Sequence, residues 1–128
     1  MNLLQTISAP VARIFLSLIF VTSGFSKISG YAGTQAYMDS MGVPGALLPL
    51  VIAVELLGGL AVILGWHTRI AAFLLAGFSL LSAFLFHANF GDQVQMIMFM
   101  KNIAIAGGFL MIVSLGGGAF SLDSRRGS

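Results

Sequence analysis

The chain has 128 residues, of which 58% are hydrophobic and 8% charged, with a mean hydropathy of +1.00, whereas soluble domains carry about a quarter charged residues. That balance places the protein in a membrane, and one compact bundle accounts for the whole length with no soluble catalytic domain. The formal charge of +2 rests on six basic residues scattered at span ends, which excludes nucleic-acid binding, and the absence of cysteine removes disulfides, thiol relays, iron–sulfur ligation and zinc–thiolate sites.

The amino terminus lacks the basic start of a cleaved signal peptide, although Thr22-Ser23-Gly24 imitates a cleavage site, so the first apolar run is expected to be a retained span. Residues 1–9 form a short lead. Pro10 suits the first turn of a helix, where its missing N–H needs no partner, and predicts a first span over 10–28. Arg13, Ser17, Phe20, Gly24 and Lys27 fall on one face by the 3.6-residue period, a polar stripe expected to face the bundle. The polar interval Gly30–Gly42 carries Tyr31 and Tyr37, a residue type that settles at the headgroup level, and reads as a short surface helix or loop.

The second span, 44–66, is long enough at 1.5 Å per residue to cross a hydrocarbon core of about 30 Å, and Glu55 lies near its middle. A charge at the bilayer centre costs at least about 2.5 kcal/mol, so Glu55 must be protonated, paired or hydrogen-bonded inside the bundle. Gly58 and Gly59, one turn on, predict a tight helix contact, for which packing alone is the simplest reading. The short connection Gly65–Arg69 forces the second and third spans to be antiparallel neighbours. The third span covers 68–90, with Arg69, Phe73, Ala76, Leu80, Ala83 and His87 on one face that is expected to look inward. Residues 89–93 form a loop, the fourth span covers 94–115 with Lys101 and Asn102 about two turns inside its start, and the tail GGGAFSLDSRRGS reads as a flexible exit.

Arg13, Arg69, Arg125 and Arg126 at one side outnumber Lys27 and Lys101 at the other, which predicts cytoplasmic termini. A weak internal repeat fits the same layout: Arg13-Ile14 matches Arg69-Ile70, and Gly58-Gly59 matches Gly107-Gly108, as in two hairpins of like orientation. Together these readings describe an all-α, integral membrane four-helix bundle of antiparallel, up-down spans, forming a single domain over 1–128.

By helix rise, Glu55 lies roughly 15 Å from the outer end of its span, Lys101 roughly 9 Å and Lys27 a few ångströms. Lys101, and less easily Lys27, is expected to reach the carboxylate. With His87 and Asn102 they make a polar group in an otherwise apolar outer half. The bland reading is interhelical glue; the functional one is a pocket for an amphiphile such as a quinone or quinol, with His87 and Glu55 accepting hydroxyl protons and a lysine polarising an oxygen. A bis-histidine haem does not fit within one chain, because His67 and His87 lie about 30 Å apart along the third span. Met96, Met98 and Met100 alternate rather than converge, which favours interface packing over copper. His67, beside Trp66 and Arg69, reads as a solvated interface residue.

The chain resembles the DoxX family of small four-span bacterial membrane proteins over nearly its whole length. The resemblance is carried by Arg13, Gly24 and Lys27 in ARIFLSLIFVTSGFSKISGY, MGVPG leading into VELLGGLAVILG with Glu55, FLFHANF with His87, and MFMKN with Lys101 and Asn102 before Gly107-Gly108. It implies a subunit of a quinol oxidase or thiosulfate:quinone oxidoreductase, or a membrane anchor for soluble redox proteins in oxidative-stress defence. The expectation is therefore an inner-membrane subunit that binds quinone or quinol at Lys27, Glu55, His87, Lys101 and Asn102 and needs a redox protein partner, with no intrinsic cofactor and no assigned catalytic residue. The alternative is a non-enzymatic anchor, assembly factor or carrier of a small amphipathic compound. Gly24, Gly58, Gly59, Gly107 and Gly108 are expected to pack helices, within the chain or in a homo-oligomer, and Arg13 and Arg69 to set topology.

Overall fold

The computed structural model describes residues 3–86, 91–118 and 120–125. Four long apolar helices dominate it: α1 (Leu3–Ser29), α3 (Leu48–Leu64), α4 (Thr68–Phe86) and α5 (Gln93–Leu115). All four are long and apolar enough to cross a membrane. A surface helix, α2 (Tyr31–Ser40), and a single 3-10 turn (Gly45–Leu47) separate α1 from α3, and a short helix, α6 (Leu122–Arg125), follows α5. The order around the ring is α1, α3, α4, α5, with α1 and α5 touching more lightly to close it. Every neighbouring pair is antiparallel.

The first span is longer than expected. Helix α1 starts at Leu3 and runs through Pro10, which lies inside it rather than in its first turn. A proline removes one rung of the hydrogen-bond ladder, which a membrane helix tolerates when its neighbours hold the backbone in place. Its polar stripe does face inward, with Arg13, Ser17 and Phe20 at 2%, 0% and 7% exposure. On α4 the inward face differs from the expected one: Thr68, Ala71, Ala72, Leu75, Ala76, Ser79 and Ala83 are buried, whereas Arg69, Phe73 and Leu80 are exposed.

The bundle is solid at one end and hollow at the other. The core cluster of Phe20, Val62, Ala71, Ala72, Leu75, Ala76, Ala106, Phe109 and Ile112 fills the half nearest the α3–α4 turn, the closed end. Small residues let the backbones approach there: a Cβ on Gly59 would lie 2.9 Å from Val21 Cγ2, and one on Gly58 would lie 3.2 Å from Leu75 Cδ2. Gly24 meets Leu56 at 2.6 Å and Gly108 meets Leu16 at 2.9 Å by the same measure, while Gly107 has nothing within 4 Å. Gly58, Gly59 and Gly108 are thus occupied within the chain, and Gly107 faces outward.

The closed end is fastened by residues 120–125, which dock on it where a flexible exit was expected. Gly116 and Gly118 take φ of 80° and 87°, turning the chain back after α5. Asp123 N–H donates to Gly65 O at 2.8 Å, and the Asp123 carboxylate accepts from His67 N, Thr68 N and Thr68 Oγ1 at 2.8, 2.8 and 2.6 Å. The sequence places no capping side chain just before α4, so its first free amides take their acceptor from the tail. Arg13 lies beneath, donating to Val62 O at 3.1 Å, Ile63 O at 3.0 Å and Phe120 O. Its role therefore exceeds the topological one: its cation sits on carbonyls at the C-terminus of α3, where the helix dipole favours it. Arg69 lies against Gly116 at the C-terminus of α5, the equivalent place in the second hairpin.

Candidate functional site

At the open end the four helices enclose a cavity of about 460 Å³, within the size range of small-molecule sites. Its walls are mainly apolar, with Phe20, Val51, Val54, Phe78 and Ile105 among them. Leu47 and Leu50 on the α3 side and Leu81 and Leu85 on α4 line the cavity and are also exposed on the outer surface, so it opens sideways between these helices. Helix α2 covers the end. Gln35 Nε2 donates to Gly45 O at 3.1 Å and Gly45 N donates to Asp39 Oδ1 at 2.8 Å, so two side chains one turn apart clasp a single residue of the MGVPG segment. From α2, Tyr37 stacks on Phe86 at the end of α4 with ring centroids 5.6 Å apart.

Each spanning helix contributes polar groups to this cavity. Helix α1 supplies Ser23 and Lys27, α3 supplies Glu55, α4 supplies Ser79 and Ser82, and α5 supplies Lys101 and Asn102. Glu55, 3% exposed, pairs with Lys27: Nζ lies 2.6 Å from Glu55 Oε1 and 2.6 Å from Ser23 Oγ. The partner is thus Lys27, where Lys101 had been the nearer expectation. Helical side chains lean toward their own N-terminus. Lys27, near the C-terminus of α1, leans down into the bundle over Ser23, whereas Lys101, near the start of α5, leans toward the open mouth and is exposed.

Of the expected site residues, Lys27, Glu55, Lys101 and Asn102 are brought to one cavity, and His87 lies outside the described residues. The sequence reading missed Ser79 and Ser82. Ser79 is 2% exposed, and its hydroxyl has no hydrogen-bond partner among the described residues. The available signal was two serines three residues apart in an otherwise apolar span, on the face that also carries Leu75. Chemically, the cavity offers an internally neutralised ion pair, one ammonium at the mouth, an amide and unspent hydroxyls on apolar walls. It can bind an amphiphile with polar oxygens.

The DoxX family model matches residues 9–88, which include most of α1 and all of α3 and α4. The chain is 54% identical over 123 residues to the inner membrane protein YqjF of Escherichia coli K12, covering 96% of this chain and 95% of that one. It is 42% identical over 122 residues to the inner membrane protein YphA of the same organism, covering 90% and 87%. CatD of Bacillus subtilis strain 168, which carries a provisional oxidoreductase name, is 36% identical over 76 residues, covering 59% of this chain and 57% of its own. No solved structure matches the chain at a significant level. A family match over more than half the chain, near full-length relatives of the inner membrane and four spanning helices together identify this chain as an inner-membrane member of the DoxX family.

Proposed function

We propose that the protein is the membrane subunit of a quinone/quinol-linked oxidoreductase system, holding the ring of the quinone or quinol in the bundle cavity. The observation that carries this reading is the combination in one lipid-facing cavity of apolar walls, the Lys27–Glu55 pair and a buried Ser79 hydroxyl without a partner among the described residues. An amphiphile diffusing in the bilayer reaches such a cavity sideways, and its oxygens satisfy groups that would otherwise stay unpaired in a dry site. The oxidoreductase name of the distant relative CatD supports the same class.

The chain has no cysteine to carry a thiol cycle, and in this proposal electrons pass to or from a redox protein partner. In this proposal both termini, and hence the closed end, face the cytoplasm. The ion pair gives Lys27 a reason for its position other than topology, which leaves the basic residues at the closed end to set the orientation.

The test is purification in mild detergent from the native membrane, with mass spectrometry of every co-purifying small molecule and protein. A retained quinone together with a flavin or haem protein supports the reading. Phospholipid alone, with no redox protein, assigns the chain instead to the anchor, assembly-factor or carrier class. In the assembled complex, unchanged quinol-dependent activity in Glu55→Gln and Lys101→Met would sink the quinone site.

A further inference from the structure

The walls of the cavity are unevenly sealed. Helices α1 and α3 pack closely, as do α4 and α5, whereas α3 and α4, and α1 and α5, touch less. Below, Phe20 and Phe78 close the floor against the core, with ring centroids 6.2 Å apart. Above, α2 covers the end, and its Met38 lines the cavity as a buried side chain. A ligand held inside therefore meets the bilayer through one of the two lighter seams.

Those seams differ in chemistry. On the α1 and α5 walls, apolar residues such as Ile19 and Ile105 are interrupted by Lys27, Lys101 and Asn102, and Glu55 is drawn to the α1 side by its pair with Lys27. An alkyl chain laid over an ammonium would strip its water and return no hydrogen bond. The α3–α4 seam instead presents Leu47 and Leu50 on one side and Leu81 and Leu85 on the other, all lining the cavity and all exposed on the outer surface. Ser79 and Ser82 of α4 are less exposed than these leucines. Lipid tails are as apolar as leucine, so a hydrocarbon chain passes through this gap without losing a favourable contact. The cavity is thus amphipathic across the bundle, with its charges toward α1 and α5 and its leucines at the α3–α4 gap. Building on the reading of the cavity as a quinone site, we infer that its ligand is a ring bearing an apolar side chain, with the ring oxygens toward the charged wall and the chain leaving into the bilayer between Leu50 and Leu81.

The experiment uses the full chain in lipid nanodiscs. The probe is decylubiquinone carrying a diazirine on its chain a few carbons from the ring, photolysed with and without excess unlabelled decylubiquinone and mapped by mass spectrometry. Labelling should fall within residues 47–50 and 81–85 and be abolished by the competitor. Competed labelling on α1 or α5 instead overturns the path of the chain and leaves the quinone site standing. In parallel, Leu50→Trp/Leu81→Trp narrows the gap without altering the polar wall. By calorimetry it should weaken decylubiquinone about tenfold, as when a few methylene groups lose their place, and weaken ubiquinone-0, the same ring without a chain, by less than about twofold, with ligand-free melting unchanged. Comparing each ligand between the two proteins in the same lipid cancels its partition into the bilayer. Leu57→Trp, exposed on α3 away from the cavity, should change neither affinity. Equal effects of the double variant on both ligands overturn the gap. Binding of neither ligand by the natural chain removes the gap and the quinone reading together.

Discussion

Lys27 Nζ and Glu55 Oε1 are 2.6 Å apart, yet the two ends of this pair are unequally committed to the interior: the lysine side chain is 26% exposed and the glutamate side chain 4%. Removing one partner of a buried pair costs about 3–5 kcal/mol because the other charge is left uncompensated. Lys27 lies next to the end of α1 and can swing to the surface, whereas Glu55 cannot. Lys27→Met should therefore lower the melting temperature in detergent more than Glu55→Gln does. The double variant Lys27→Met/Glu55→Gln should recover most of the loss, and equal effects of the two single changes would refute the asymmetry.

The tail supplies a second test, through pH. Burial pushes the Asp123 carboxyl up, but hydrogen bonds from the Thr68 hydroxyl and the Thr68 and His67 amides outweigh it and hold the group below the usual carboxylate range. A depressed folded value means that the stabilisation is present above the unfolded value of about 3.9 and is lost as pH falls through the folded one. Asp123→Ala should cost about 1 kcal/mol at neutral pH, as loss of a helix cap does. It should also remove the part of the acid destabilisation that the natural chain shows below about pH 4, measured as melting temperature against pH.

Arg13 reaches three carbonyls from two separate segments, Val62 and Ile63 on one side and Phe120 on the other. Lysine keeps the charge but replaces a planar fork with a point donor. Arg13→Lys should therefore destabilise the bundle by about 1.5–3 kcal/mol, the range for hydrogen bonds to charged groups. Limited proteolysis should then cut within residues 116–125 earlier than in the natural chain, and an unaltered cleavage rate would count against the clasp.

The glycines divide by what their missing side chain would meet. Gly24→Ala and Gly59→Ala force a methyl to within 2.6 Å of Leu56 and 2.9 Å of Val21, and should lower the melting temperature. Gly107→Ala meets nothing within 4 Å and should raise it, by up to about 1 kcal/mol of helix propensity. A drop for Gly107→Ala would show that this face is covered by a second copy of the chain, and crosslinking in membranes would identify it.

The four spans were legible because each is an apolar run bounded by turn-forming residues, and the inward stripe of α1 because its polar residues mark one face. On α4 the periodicity was ambiguous. Lipid accepts apolar side chains on the outside as readily as the core does inside, so the Arg69–Phe73–Leu80 face and the Ala72–Leu75–Ser79 face look equally suitable until the small residues are given priority. Depth along the helix suggested a polar group of which Lys27, Glu55, Lys101 and Asn102 line one cavity, but it ranked Lys101 ahead of Lys27 as the partner of Glu55, because the distance from a span end ignores the lean of each side chain. The Asp123 cap joins residues 55 and 56 positions apart, and no local pattern encodes such a contact.

The tail clasp also carries a consequence for the order in which the protein is made. Arg13 emerges from the ribosome in the first span, its α3 acceptors follow only with the second, and Phe120 and Asp123 come after all four spans have been synthesised. Until then the arginine lacks one of its acceptors and the first amides of α4 lack their cap. Closure of the bundle is thereby tied to the arrival of Phe120 and Asp123, and a nascent chain stalled before them holds a partly satisfied cation and an uncapped helix.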